Sequence, residues 1–266
     1  MNRSFVAAAL AALALGAPLV ASEIKISLDK ETVGKPPVTF EPIVGTWIVT
    51  NEGGDKVIMV DGRPWVASKD NPTKLLVESA RRLYGTSNEE LMDNAKQFAY
   101  YPVAVLKSVQ NFSNGSITMK FKTISGEADR CSGILFNVKE NGDWLALRYN
   151  DTEHNVILWE FHNGIRRPLI RPRDGDLLKA EGDREKWHEL RLDVDGANIT
   201  GTLDGTKVLS YVLGSAPPPG RDGGAPNPDL VPANNPVLRA PVNGKIGLWS
   251  KTDSTSYFKA YAVNAK

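Results

Sequence analysis

A run of alternating polar residues in the middle of the chain has the spacing of side chains that share one face of a β-strand. Arg148 and Asn150 alternate with apolar residues, and Glu153 and Asn155 follow closely. Side chains two positions apart on a strand point to the same face. A guanidinium there can form a bidentate pair with a carboxylate or hydrogen-bond to an oxygen-rich ligand. Alternatively, Arg148 is buried in a salt-bridge network that ties the sheets together, and the sequence leaves both interpretations open.

Two tryptophans in this part of the sequence could border a groove. Trp159 alternates with Leu158 and precedes Glu160, and Trp249 ends an apolar run shortly before Lys251. Sugar rings stack their apolar faces on aromatic side chains, while their hydroxyls bond to Asn, Asp and Arg. The residue types together therefore indicate a carbohydrate-binding face, although we expect most of the six tryptophans to be in the core.

Metal chemistry has weaker support in the sequence. Asp193 and Asp195 could contact calcium, but an Asp-Gly turn explains Asp195 without an ion. A zinc site is not expected, because the histidines lack the paired spacing of a zinc site. They are His154, His162 and His188. We therefore expect no cofactor, with calcium as the one ion left open.

These residues must be positioned by β-strands. Asn-Gly pairs at 114–115, 141–142 and 163–164 punctuate apolar runs, which predicts hairpins and an antiparallel meander over residues 112–170. Further strands are predicted at 43–50, 56–60, 65–68, 187–194, 198–203 and 207–212. Closing strands at 244–250 and 256–263 must return to complete the sheets. In 187–194 the alternation predicts one buried face, formed by His188, Leu190, Leu192 and Val194.

The chain divides into unequal segments. Residues 1–22 have one basic residue, Arg3, a short apolar run and small residues before Glu23, which predicts a signal peptide cleaved near Ser22. Residues 23–40 are expected to form an N-terminal arm, and residues 41–266 a single β-domain. Within that domain, the helical period of residues 72–97 predicts a short helical insertion that covers one end of the sandwich or, as the minority alternative, acts as an active-site flap. Residues 214–243 are rich in Pro and Gly and are predicted to be a long loop.

Charge and cysteine content exclude several classes of protein. The chain has 32 Lys+Arg and 31 Asp+Glu, and removal of Arg3 with the signal leaves a formal charge of zero. A balanced surface lacks the basic footprint of a nucleic-acid-binding protein. We expect an exported, periplasmic or secreted monomer without a membrane span. Its single cysteine, Cys131, cannot form an intramolecular disulfide, and its strand-like context favours a small buried residue over a nucleophile.

Several short sequence words resemble those of the concanavalin A-like lectin/glucanase superfamily. They are GSITMKFK at 115–122, SGI at 132–134, NVIL at 155–158, WHELR at 187–191, LDG at 203–205 and GKIGLW at 244–249. Within the superfamily, the chain is similar to the secreted bacterial laminin-G-like and 3-keto-disaccharide hydrolase (DUF1080) branch. The resemblance implies an all-β fold: a two-sheet antiparallel jelly-roll sandwich whose concave face often binds carbohydrate.

The resemblance also bears on the site. Relatives place an acid before the SGI word and K-x-D-S after GLW, which Asp129, Lys251 and Asp253 match, so Arg148 is expected to pair with Asp129 or Asp253. The chain lacks the paired carboxylates of the glucanases. Leucines at 145 and 147 replace the polar residues that the keto-disaccharide hydrolases carry on this strand.

Three functions follow from these observations. The first is a carbohydrate-recognition protein, favoured because paired catalytic carboxylates are missing while a polar strand face is present. The second is a glycoside hydrolase of the keto-disaccharide type. The third is a structural or protein-binding laminin-G-like domain. The candidate ligand-binding residues are Asp129, Arg148, Asn150, Glu153, Asn155, Trp159, Trp249, Lys251 and Asp253.

Overall fold

The computed structural model describes residues 23–66, 101–140, 142–162, 165–170, 185–215 and 240–266. The predicted signal peptide, the helical insertion at 72–97 and most of the Pro/Gly-rich loop lie outside them. The elements are β1 (Glu23–Lys25), β2 (Phe40–Val44), β3 (Thr46–Glu52), β4 (Asp55–Asp61), α1 (Arg63–Val66), β5 (Val103–Leu106), β6 (Gly115–Ser125), β7 (Cys131–Val138), β8 (Trp144–Asn150), β9 (Asn155–His162), β10 (Ile165–Ile170), β11 (His188–Asp195), β12 (Asn198–Leu203), β13 (Thr206–Val212), β14 (Lys245–Trp249) and β15 (Thr255–Ala265).

Two antiparallel sheets form the sandwich. The first sheet has the order β13-β12-β11-β6-β15-β4-β3, with β1 also paired to β15, and the second has the order β10-β9-β8-β7-β14-β5-β2. Apolar side chains from both sheets, including Leu147 and Leu158 of the second and Leu190 and Leu192 of the first, form the core between them. The predicted all-β jelly-roll fold is confirmed.

The meander is confirmed for β7 to β10, in which each strand pairs with the next. The Asn-Gly pairs at 141–142 and 163–164 fall between these strands, as predicted. The first pair is different, because Gly115 begins β6, and β6 pairs with β11 and β15 in the other sheet. An Asn-Gly pair thus indicates a local change of direction, but it does not fix which strand comes next in the sheet.

Two strand predictions near the start of the domain are wrong. Residues 43–50 are not one strand, because Gly45, with φ +94°, separates β2 in the second sheet from β3 in the first. A positive φ is accessible to glycine at little cost, so the chain changes sheets there. A Cβ at Gly45 would lie 2.6 Å from Cβ of Pro102. Residues 65–68 were expected to be a strand, but residues 65 and 66 belong to the helical turn α1, Arg63–Val66, and residues 67 and 68 lie outside the described part of the chain.

The last two strands lie in the middle of the sheets. Strand β14 pairs with β7 and β5, and β15 pairs with β6, β4 and β1. The predicted return of the C-terminal strands is therefore confirmed, and the three residues of β1 in the predicted arm extend the first sheet. No helix in the described part of the chain is long and apolar enough to cross a membrane.

Candidate functional site

The side of the second sheet that faces away from the first sheet, here called the outer face, carries the polar residues predicted from the sequence. On β8, residues 145, 147 and 149 point into the core, so the alternate residues lie on the outer face. The register of β8 with β9 places Arg148 opposite Ile157 and Asn150 opposite Asn155. Trp159 lies two residues beyond Ile157 on the same face. The period of two therefore brings these polar side chains and Trp159 together.

Arg148 is the centre of the first polar group. Its side chain is 0% exposed, and Nη2 donates to Oε2 of Glu153 at 3.0 Å and to Oδ1 of Asn155 at 2.8 Å. Asn155 also donates to Glu153 at 3.2 Å. The predicted pairing of Arg148 with Asp129 or Asp253 is wrong, because Glu153 follows on the tight turn after β8 and reaches the guanidinium first. Glu153 is 49% exposed and connects this buried group to solvent.

Trp159 is stacked against two arginines. The guanidinium carbon of Arg166 lies 3.9 Å from the Trp159 ring centroid, and that of Arg148 lies 5.5 Å from it. Arg166 also lies 5.0 Å from the ring centroid of Tyr101. These are distances at which cations interact with aromatic rings. Trp159 itself is only 7% exposed, so its ring is part of a packed cluster rather than an open platform.

Arg166 and Tyr101 were missed by the sequence analysis. For Arg166 a signal was available, because an Asn-Gly pair at 163–164 predicts a two-residue hairpin, and such a hairpin fixes the register. Residue 165 then faces 162, and Arg166 faces Phe161 on the outer face, as the structure has it. No comparable sequence signal marks Tyr101, which precedes β5 far from Trp159 in the chain.

Asp129, Asn150 and Lys251 form a second polar group at the neighbouring end of the sheet. Oδ2 of Asp129 lies 2.6 Å from Nζ of Lys251, and Oδ1 accepts a hydrogen bond from Asn150 at 2.9 Å. The hydroxyl of Thr252 also donates to Asp129, at 3.3 Å. The sequence words that surround SGI and GLW thus meet in space, and the carboxylate of Asp129 is fully engaged by protein donors.

Asp253 has a structural position. Its carboxylate accepts hydrogen bonds from the backbone N–H groups of Glu127 at 2.6 Å, Ala128 at 3.1 Å and Asp129 at 3.2 Å. Burial alone would raise the pKa of Asp253, but these backbone hydrogen bonds lower it below its usual range. Asp253 thus anchors the loop before β7 through both of its carboxylate oxygens.

Trp249 does not border a groove. Its side chain is 0% exposed on the outer face of β14, where it stacks on Tyr101 with a centroid separation of 6.1 Å and an interplanar angle of 17°. Trp144 and Phe161 stack on each other beside it, 4.9 Å apart. This aromatic cluster belongs to a second apolar core on the outer face. The prediction that Trp249 borders a groove is therefore wrong, while the prediction that most tryptophans are in the core agrees with the described ones.

The charges of the site follow from burial and pairing. Burial would raise the pKa of Glu153, but the positive charge and hydrogen bond of Arg148 lower it below its usual range. Burial lowers the pKa of Arg166, and the nearby charge of Arg148 lowers it further. Cys131 is buried between these groups, 3.9 Å from Nη1 of Arg148, and burial raises its pKa to about 12. The thiol is therefore neutral at physiological pH, as expected of a structural cysteine.

The described residues contain no cluster of three or more His, Cys, Asp or Glu side chains suited to a metal ion. Of the two aspartates considered for calcium, Asp193 accepts hydrogen bonds from Nε and Nη2 of Arg191 at 2.8 and 2.5 Å. Asp195 lies at the end of β11, at the hairpin to β12. The expectation of no cofactor, with calcium left open at these aspartates, stays a prediction.

No protein-family model matches the chain, and no curated protein sequence matches it. Among solved structures, the carbohydrate-binding module CBM66 from Bacillus subtilis has a TM-score of 0.50 and 13% identity, covering 88% of this chain and 99% of that chain. A protein of unknown function with a galectin-like fold, also from B. subtilis, has a TM-score of 0.44 and 12% identity, with 85% and 88% covered. A β-glucanase from Bacillus licheniformis has a TM-score of 0.36 and 10% identity, with 62% and 71% covered.

These similarities concern the fold. Of these three structures, the carbohydrate-binding module alone has a TM-score of 0.50, and its low identity carries no information about individual residues. The chain therefore shares the fold of this module, a β-sandwich.

Proposed function

We propose that the protein is an exported carbohydrate-recognition protein. It binds a glycan or glycoside on the outer face of the second sheet, which we take to be the concave face of the jelly roll. The observation that carries this proposal is the convergence of Arg148, Glu153, Asn155, Trp159 and Arg166 at one place on that face. Charged and amide groups beside an aromatic ring are the groups that fix a sugar in protein sites.

Access to the cluster is from its two partly exposed members. Glu153 is half exposed at the turn between β8 and β9, and Arg166 is partly exposed on β10. A sugar hydroxyl can donate to the Glu153 carboxylate and accept from Arg166. Arg148, which is fully buried, acts as a positioning residue that holds Glu153 in place. In this proposal Arg148 is buried in an ion pair, as one of the two interpretations from the sequence had it, and that ion pair supports the binding residue Glu153.

Hydrolysis is the alternative proposal, and the described carboxylates favour binding over it. A general acid in a glycosidase needs a raised pKa to be protonated at neutral pH. The pKa of Glu153 is lowered by Arg148, and Asp129 is paired with Lys251. The residues at 145 and 147, which would be polar in the keto-disaccharide hydrolases, are leucines of the core between the sheets.

The narrower parts of the proposal rest on the sequence. They are membership of the laminin-G-like and DUF1080 branch, a signal peptide at 1–22, an arm at 23–40, a domain at 41–266 and a monomeric state. The fold supports the general resemblance, since the SGI and GLW words lie on the adjacent strands β7 and β14. A structural or protein-binding role is the outcome that remains if no glycan binds.

A glycan array tests the proposal. The purified protein should bind a limited set of glycans, and Glu153→Gln should weaken binding while Glu189→Gln should not. Glu189 is the matched control, because it is an exposed glutamate on β11 of the other sheet. Absence of binding to any glycan, or equal binding by both variants, would refute the proposed site.

A further inference from the structure

We infer that the ligand of this site carries a negative charge, and that the protein recognises acidic sugars such as uronates. This inference rests on the proposed function and adds the class of sugar. It follows from an imbalance in the cluster: among the described residues, buried hydrogen-bond donors and positive charges exceed the acceptors and negative charges available to them.

The charges show the imbalance first. Among the described residues, Arg148 is paired with Glu153, and Lys251 is paired with Asp129. Arg166 has no ion-pair partner in the described part of the chain. Its neighbours are the rings of Trp159 and Tyr101, and burial together with the positive charge of Arg148 lowers the pKa of Arg166. Both carboxylates of these pairs are thus already engaged, and Arg166 is the cation left without an ion-pair partner among the described residues.

Buried hydrogen-bond donors without acceptors are the second part of the imbalance. Nε of Arg148, Nη1 of Arg166 and Nε1 of Trp159 are buried, and within the described ranges none has an acceptor. The first two belong to guanidinium groups that lie beside the Trp159 ring, and the third belongs to that ring. A buried donor without an acceptor costs about 1–3 kcal/mol in a typical protein. Arg148 and Trp159 are buried, so Arg166, which is partly exposed, is the donor to which a ligand can bring an acceptor.

The chemistry of that ligand follows. A carboxylate offers two oxygens that accept bidentate hydrogen bonds from a guanidinium, and its charge neutralises the excess cation. A neutral sugar hydroxyl can supply an acceptor but cannot neutralise Arg166. The uronate carboxylate is therefore expected at Arg166, with the sugar hydroxyls directed toward Glu153.

Ligands that differ only in the charge of their carboxyl groups test this inference. Oligosaccharides of galacturonate, glucuronate and mannuronate are titrated as free acids and as methyl esters, which keep the sugar and remove the charge. At least one acid should bind ten-fold or more tightly than its ester, and added NaCl should weaken that binding. Equal affinity for acid and ester, or no binding of any acid, would overturn the inference. The glycan array distinguishes failure of this inference from failure of the proposed function. A neutral glycan whose binding Glu153→Gln weakens would leave the proposed function standing.

Matched variants locate the charge. Arg166→Met should reduce the affinity for the acid at least ten-fold and leave the affinity for the ester nearly unchanged. Arg167→Met is the control, because Arg167 is the next residue on β10, is exposed and points to the other side of the strand. Arg166→Lys, which keeps a cation, should retain part of the preference for the acid and serves if the methionine variant does not fold. An undiminished preference in both Arg166 variants, or an equal loss in Arg167→Met, would overturn the assignment.

Discussion

The guanidinium of Arg148 donates a hydrogen bond to Glu153 across 3.0 Å, yet the arginine side chain is fully buried and the glutamate side chain is 49% exposed. The two members of the pair therefore differ in what happens when the other is removed. A stranded carboxylate at position 153 can be hydrated. A stranded guanidinium at position 148 cannot, and Asn155 is then the one oxygen acceptor left to it among the described residues.

This asymmetry predicts the stabilities of two variants. Glu153→Ala should lower the free energy of unfolding by about 2–4 kcal/mol, somewhat less than the usual cost of breaking a fully buried pair because Asn155 still accepts from Arg148. Arg148→Met should cost about 1–2 kcal/mol, because methionine fills the apolar space and the carboxylate left behind is hydrated. Urea unfolding measures both. A larger loss of unfolding free energy for Arg148→Met than for Glu153→Ala would contradict this account of the Arg148–Glu153 pair.

Acidification should remove the contribution of Glu153. Its pKa in the folded protein is below the ordinary value of 4.5, so its stabilising effect is present above that value and is lost as the pH falls through the folded-state pKa. The difference in unfolding free energy between the natural protein and Glu153→Gln should therefore shrink between pH 7 and pH 3. A difference that grows on acidification would contradict the pairing.

Asp253 should matter for the loop before β7 rather than for binding. Asp253→Ala removes the acceptor of three backbone N–H groups at residues 127–129 and should cost about 1–2 kcal/mol. Amide hydrogen exchange of these residues should accelerate, while Asp253→Asn, which keeps one oxygen, should show a smaller change. Unchanged exchange in the alanine variant would mean that the loop is held by other contacts.

The thiol of Cys131 should be unreactive in the folded protein. Burial raises its pKa to about 12, so almost no thiolate is present at pH 8, and the side chain has no exposed surface. A thiol reagent such as DTNB should label the protein only in denaturant, with one equivalent released. Rapid labelling of the native protein would place the sulfur near the surface and would reopen the question of a nucleophilic cysteine.

The sequence predicted local geometry well where the period and the turns were clear. Alternation on β8 correctly grouped Arg148 with Asn150, and the prediction of a buried face on β11 is confirmed. The Asn-Gly hairpins gave the order β7 to β10. These features depend on neighbours in sequence, and a single chain contains that information.

Contacts between distant residues could not be predicted in the same way. The partner of Arg148 was misassigned because several carboxylates lay within plausible reach, and only the turn after β8 decides that Glu153 is the nearest. Trp249 was expected at a groove because it ends a strand, but it is covered in the structure. Burial on the outer face depends on how the rest of the chain packs over it, which alternation within one strand does not report.

The most direct test of the account is the affinity of the best array glycan for Glu153→Gln and Glu189→Gln, measured by calorimetry alongside the natural protein. The substitution of Glu153 should weaken binding at least ten-fold, which corresponds to about 1.4 kcal/mol, with no change of fold, and the substitution of Glu189 should leave the affinity unchanged. If Glu153→Gln binds the glycan as tightly as the natural protein does, the outer face of the second sheet is not the binding site.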